Sequence, residues 1–298
     1  MTVTDIAPLP ALAVGRIGDP GRERPVVVFD GVAYDARPVT DDIDPRFFDR
    51  GGLEALVAAA RAGVLPATTV DGERFGAPIG EPRKVVGIGL NYHDHARETG
   101  ATPPAEPVVF LKDPGCVVGP DDDVHIPPGS TKTDWEVELA VVVGSTASYL
   151  SGPEVALDHV AGYTIANDVS ERELQIERSG GQWDKGKSCP TFLPLGPWLV
   201  PVEAVPDPQA LGLRLWLNGE ARQDATTAEM VFPVAELVWA VSQCMVLRAG
   251  DVIITGTPAG VGLGSADQRF LRPGDVVELA IDGLGRQRQQ LVATDMPS

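Results

Sequence analysis

The stretch Thr133-Asp134-Trp135-Glu136-Val137-Glu138-Leu139-Ala140-Val141-Val142-Val143-Gly144 decides how the rest of this chain is read. It is a run of β-branched and apolar residues with two carboxylates set two positions apart. As a strand it projects Glu136 and Glu138 from one face, about 7 Å apart along the backbone. Like charges so placed repel, and a divalent cation bound by oxygen ligands removes the conflict. The alternative for the pair alone is a solvated strand face.

Downstream, Val160 to Ala166 reads as a second strand leading into Asn167-Asp168-Val169-Ser170. Ser170 with Glu173 has the spacing of a capping box, which predicts a helix running toward Gly180-Gly181. Asp168 then sits at a strand-to-helix junction, as a third carboxylate of the group or as an ordinary turn Asp. Trp183 to Phe192 reads as a loop carrying Lys185 and Lys187, either solvated or able to bind a substrate carboxylate or enolate. Leu211 to Leu217 and the residues from Glu220 form a hairpin about Asn218-Gly219. Pro233 opens a helix with Leu237, Val238, Val241 and Met245 as its core stripe. Asp251 to Ile254 is a buried strand feeding the loop Thr255 to Gly264, whose backbone N–H groups can cradle an anion. That loop lacks Gly-Lys-Ser/Thr and is not a P-loop. Val276 to Ile281 supplies the last expected strand.

Upstream, Lys84 to Leu90 is a buried-strand pattern followed by a short helix that Gly100 ends. Gly87-x-Gly89 is not a dinucleotide fingerprint, because Tyr92 stands where the third glycine is required. His95 and Glu98 are three apart and share a helix face, as a surface pair or as a general-base dyad on a lid. Pro107 to Lys112 is another strand. The acidic run Asp121-Asp122-Asp123 and the isolated His125 read as solvated. Residues 1–80 form a small α/β accessory unit: a hairpin about Asp30-Gly31, then a helix carrying Leu53, Val57 and Ala60. The turn-rich passage from Pro66 to Pro82 marks its boundary with the main domain, 81–298. Many strands and few helices make the fold class α+β and β-rich.

A net charge of -18 excludes the basic face that a nucleic-acid partner requires. No apolar run is long enough to span a bilayer, and the N-terminus lacks a secretory pattern. Cys116, Cys189 and Cys244 have no metal-ligand spacing and fit a reducing, cytoplasmic setting.

Five blocks together resemble the fumarylacetoacetate hydrolase family in its bacterial catalytic-domain form, from about Lys84 to the C-terminus. They are Gly89-Leu90-Asn91-Tyr92 with His95-Ala96-x-Glu98, Trp135-Glu136-x-Glu138-Leu139, Asn167-Asp168-Val169-Ser170, Gly186-Lys187-Ser188, and Thr255-Gly256-Thr257-Pro258-x-Gly260-Val261-Gly262. The resemblance implies a rolled mixed β-structure, a homodimer, and Mg²⁺ or Mn²⁺ held by Glu136, Glu138 and Asp168. It implies that His95 with Glu98 activates water, that Lys187 is catalytic and contacts substrate, and that Tyr92 and Thr257 bind substrate. Two departures, Asp113-Pro114-Gly115-Cys116 after Lys112 and Pro190 before Thr191-Phe192, bear on the substrate pocket. The implied activity is hydrolysis of a carbon–carbon bond in a 2,4-dioxo acid of acylpyruvate or fumarylacetoacetate type. Decarboxylation, isomerisation or hydration of a related 2-oxo acid is the alternative, since all pass through an enolate. A non-catalytic metabolite-binding protein is the third.

Overall fold

The computed structural model describes residues 9–294. The deciding stretch divides in two. Thr133–Asp134 pairs with Ser170–Glu171, and the strand proper is Val137–Val143, buried at every position. Glu136 therefore lies at the entrance to the strand, not within it. Burial on both faces accounts for an unbroken apolar run in place of alternation.

Val137–Val143 pairs antiparallel with Val160–Asn167 on one side and Val252–Ile254 on the other. These are the centre of a ten-stranded sheet. Its path runs Val32–Asp35, Arg24–Phe29, Leu12–Ile17, Leu193–Pro201, Val160–Asn167, Val137–Val143, Val252–Ile254, Val85–Gly89 and Val108–Lys112. Val117–Val118 pairs with Leu193–Pro201 off this path.

The N-terminal hairpin closes at Asp30 and Gly31, with φ of 49° and 73°, the left-handed pair that a two-residue turn requires. Helix Gly52–Arg61 covers the unit with Leu53, Leu56, Val57 and Ala60. Leu12–Ile17 pairs with Leu193–Pro201 at Val14 and Leu199, so the accessory strands and the main strands share one sheet.

A second, five-stranded sheet runs Glu220–Thr226, Gly212–Leu217, Val276–Ile281, Gly285–Ala293 and Val124–Ile126. Its strand Gly285–Ala293 lies beyond the last strand expected from sequence. The buried positions there include Gln287 and Gln289, so the inward face carries amides where hydrophobic alternation would carry aliphatics. Gln287 Nε2 donates to Ile165 O and Gly196 O, both at 2.9 Å. Gln289 Oε1 accepts from Asn167 Nδ2 at 3.1 Å. The two sheets are thus joined by amide hydrogen bonds as well as apolar contact.

The capping-box helix does not form. Ser170 belongs to a short strand and donates its hydroxyl to Asp168 O at 2.9 Å. One π-helical turn, Glu173–Glu177, follows, and Glu171 Oε2 accepts from Leu174 N. Pairing with Thr133–Asp134 claims the residues that local spacing assigned to a cap. Part of the expected lysine loop is instead the helical turn Asp184–Lys187. Among the described residues, no helix is long and apolar enough to cross a membrane.

Candidate active site

Two neighbouring strands carry the three carboxylates. Glu136 enters the central strand, Glu138 lies within it, and Asp168 follows the neighbouring strand Val160–Asn167. Register brings them together, since Ala166 pairs with Glu138 and Asn167 with Val137. The Asp168 N–H then donates to Glu136 O at 2.9 Å. One carboxylate oxygen from each of the three lies within 4.8 Å of the others, and all three residues are buried.

Cations surround this group. Lys187 Nζ sits 2.7 Å from Glu136 Oε2 and 2.6 Å from Asp168 Oδ2. Lys112 Nζ reaches Asp168 Oδ1 at 2.5 Å and Val169 O at 3.3 Å. Arg172 Nη1 lies 2.7 Å from Glu136 Oε1, and its Nε donates to Asp134 Oδ2 at 2.8 Å. Burial pushes the Glu136 carboxyl up, but Lys187 and then Arg172 outweigh it and hold the group well below the usual range. For Lys187, burial pulls downward while Asp168 and Glu136 prevail and raise it.

Glu138 is different. Among the described residues it alone of the three has no cationic side-chain partner, and its Oε2 accepts a single 2.6 Å hydrogen bond from Gly256 N. Burial, and then the charges of Asp168 and Glu136, push its carboxyl well above the usual range. Excess negative charge confined to oxygen donors suits a hard divalent cation. The oxygens already bonded to lysine or arginine keep a second lone pair for it. The residues present fit such an ion.

The Gly-rich loop does cradle anions, but they are the protein's own. Gly256 N–H serves Glu138, Gly260 N–H donates to Glu98 Oε1 at 3.0 Å, and Gly262 N–H and Leu263 N–H donate to Asp134 at 2.7 and 2.9 Å. Gly256 and Gly260 hold φ of 94° and 107°, and a Cβ at Gly260 would lie 1.9 Å from Arg222 O. Only glycine satisfies both conditions.

His95 and Glu98 lie on the short helix His93–Glu98, ended by Gly100 at φ 73°. His95 Nδ1 is 3.5 Å from Glu98 Oε2 and makes no hydrogen bond among the described residues. Both residues line a cavity of about 540 Å³ together with Glu136, Glu138, Arg172, Lys187 and Thr257. Thr257 donates its hydroxyl to Val137 O at 3.0 Å and accepts from Gln223 Nε2 at 2.8 Å. Tyr92 is not part of this wall: it is wholly buried at the start of the short helix, and among the described residues its hydroxyl has no partner. Burial, then the Glu138 charge, raises that phenol well above its usual value. Asp113 and Thr191, at the two departures, are likewise turned to other work. Asp113 N–H donates to Ser188 Oγ, and Thr191 Oγ1 accepts from His125 N. A larger cavity of about 730 Å³ beside helix Gly52–Arg61 holds none of these site residues.

Sequence reading missed Lys112, Arg172, Asp134 and Gln223. Lys112 left a signal: it is two residues from buried Phe110 on a strand whose Leu111 is exposed, so a lysine occupies the buried register. Gln223 lies on the other sheet and left none. It accepts from Val137 N at 3.0 Å and so fixes the carboxylate strand from across the core.

The fold and this buried acidic pocket define a β-rich α+β protein organised about a charged catalytic-type centre. Residues 84–292 match the family described as fumarylacetoacetate (FAA) hydrolase C-terminal. The chain belongs to the fumarylacetoacetate hydrolase family of enzymes. It is 50% identical over 279 residues to a Burkholderia lata protein provisionally named a hydrolase, covering 92% of this chain and 96% of that one. Among solved structures it is similar to fumarylacetoacetate hydrolase from psychrophilic Exiguobacterium antarcticum (TM-score 0.81, 37% identity, 95% of this chain and 100% of that one). It is similar also to a Mycobacterium abscessus protein assigned as a 2-hydroxyhepta-2,4-diene-1,7-dioate isomerase (0.79, 33%, 95% and 100%). A third is maleylpyruvate hydrolase from a Sphingobium species in complex with manganese(II) and pyruvate (0.77, 28%, 95% and 100%).

Asp134 receives four donors in a fully buried place. Asp134→Asn turns an amide N–H₂ toward some of them and leaves Arg172 with one anionic partner. The expected loss is about 3–5 kcal/mol of stability, read from urea unfolding. A loss below about 1 kcal/mol would show that the buried pair is not what holds the loop.

Proposed function

We propose that this protein is a divalent-metal-dependent hydrolase that cleaves the carbon–carbon bond of a 2,4-dioxo acid, giving a pyruvate-type product and a carboxylic acid. One observation carries the reading: a single cavity is lined by Glu136, Glu138, Lys187, His95 and Glu98, and the Asp168 carboxylate lies buried within the same acidic group. Mg²⁺ or Mn²⁺, held by Glu136, Glu138 and Asp168, would supply Lewis-acid polarisation of the substrate's 2-oxo acid end. The Sphingobium relative with manganese(II) and pyruvate supports this assignment.

The chain's own residues handle the protons. His95 takes a proton from water, whose oxygen adds to the distal carbonyl carbon. Glu98, fixed by the Gly260 N–H, orients the imidazole and offsets the charge it acquires. The distal bond then breaks, its electron pair passes to the pyruvate-type carbon, and protonation of that enolate completes the products. Lys187 lies where it can offset the enolate's negative charge. Lys112 and Arg172 hold the carboxylates in place for this, and Thr257 stands at the cavity wall beside them.

An isomerase is the second reading, favoured by the relative assigned as a 2-hydroxyhepta-2,4-diene-1,7-dioate isomerase. It needs the enolate but no attacking water. A homodimer belongs to the same proposal on the family resemblance, and light scattering of the pure protein should give twice the 31.4 kDa chain mass; a monomer overturns it.

Acylpyruvates assayed in the ultraviolet with Mg²⁺ and with EDTA test the chemistry: metal-dependent loss of diketone absorbance with release of pyruvate is expected. Absorbance change without pyruvate release would shift the assignment to the isomerase. His95→Ala should lower turnover by at least about 100-fold with metal titration unchanged, and near-normal turnover would remove His95 from the mechanism. Glu138→Ala should weaken Mn²⁺ binding beyond the roughly 10–100-fold that loss of a supporting partner costs. An unchanged calorimetric titration would exclude Glu138 as a ligand.

A further inference from the structure

The wall that runs outward from the carboxylates is apolar. Phe110 has Lys187 Nζ 5.2 Å from its ring centroid, so this ring stands directly beside the charged centre. Trp183 continues the wall, its ring centroid 5.8 Å from that of Phe110. Ile176, half exposed at 51%, follows at the cavity rim. Two glycines make this wall possible. A Cβ at Gly87 would lie 2.2 Å from the Phe110 ring, and one at Gly89 would lie 2.3 Å from the Trp183 ring.

Only two cations are among the residues lining the cavity, and both are committed. Lys187 and Arg172 have side chains 2% and 3% exposed. Lys187 is paired with Glu136 and Asp168, and Arg172 with Asp134 and Glu136. Three exposed cations of the turns that carry Ile176 and Trp183 or pair with them also have partners: Lys132 pairs with Glu177, Arg178 with Glu173 at 3.4 Å, and Lys185 donates to Arg178 O. A second carboxylate at the far end of a substrate would lose water against Phe110 and Trp183 and meet no uncommitted positive charge among the described residues that line the cavity. An acyl chain meets what it needs.

We propose that the substrate carries an uncharged, apolar group on its distal carbonyl, and that Phe110, Trp183 and Ile176 select it against dicarboxylic 2,4-dioxo acids. This rests on the hydrolase reading above and narrows it to acylpyruvates with alkyl or aryl ends. Each methylene buried along the wall should raise kcat/KM by roughly four-fold until the cavity is full.

The test compares two acids of equal length on the intact protein with Mn²⁺, 2,4-dioxooctanoate and 2,4-dioxooctanedioate. The monocarboxylate should be favoured in kcat/KM by at least about 10-fold. Ile176→Arg places a cation at the rim and should move that ratio several-fold toward the dicarboxylate, with Ile176→Gln as the uncharged control. Equal or better turnover of the dicarboxylate by the wild type overturns the proposal. Calorimetric affinities of the same two acids for the His95→Ala variant carry the comparison without turnover. Tight binding of the monocarboxylate alone, with no cleavage by the wild type, would keep the specificity and discard the hydrolase reading. Equal affinities would discard the specificity, whatever the reaction.

Discussion

The constraint on which the rest of the molecule depends is the placing of four carboxylates, Asp134, Glu136, Glu138 and Asp168, within one buried region. An ionised carboxylate out of water is tolerable only where charge and hydrogen bonds replace the water. The chain supplies both, from opposite sides. Lys112, Arg172 and Lys187 bring positive charge to Glu136 and Asp168. The glycine loop brings backbone N–H groups to Glu138 and Asp134. The division leaves Glu138 with the weakest compensation, and the centre is therefore least neutral at one of the two carboxylates that line the cavity.

The same logic explains why this site needs two sheets. Asn167 accepts from Glu136 N at 3.1 Å and donates to Gln289 of the second sheet, while Gln223 of that sheet binds Val137 N and Thr257. The two backbone N–H groups at the entrance to the central strand, of Glu136 and Val137, are each held by an amide whose other end is anchored elsewhere. A strand margin fixed in this way resists the repulsion of the acids mounted on it. An aliphatic interface between the sheets would pack as well but would not position Glu136.

Glycine usage separates what local sequence could show from what it could not. Asp30-Gly31 and Asn218-Gly219 announced their hairpins because the turn itself demands positive φ, and the structure has it at all four residues. Gly87 and Gly89 carry no such local demand. Their purpose lies in Phe110 and Trp183, more than twenty and ninety residues away, and only the folded chain shows it. The carboxylate group was legible because two of its members lie at the entrance to and within one apolar strand and the third follows another recognisable strand. The Ser170–Glu173 cap misled because a two-residue pairing with Thr133–Asp134 outweighs a local hydrogen-bond preference. The strand Gly285–Ala293 was hidden because glutamines occupy its inward positions, which removes the period-two hydrophobic signal.

Under the proposed function, the site separates into a part that would serve any enolate and a part that would serve one reaction. Carboxylates, lysines and arginine are mounted on the sheet and the turns packed against it, where nearly every side chain is buried. His95 and Glu98 are mounted on a six-residue helix between a strand and Gly100. That helix is tied to the centre by one carboxylate on the Gly260 N–H, and Gly264 lets Glu98 approach so closely that any Cβ there would lie 2.2 Å from its Cγ. A short element held by a few polar contacts opens at lower cost than the sheet beneath it. Under the proposed function, proton transfer from water depends on the least secured part of the pocket, whereas charge stabilisation depends on the most secured. Under the same proposal, that boundary divides what hydrolysis needs and isomerisation does not, the water-activating pair, from the acids and cations that both would use.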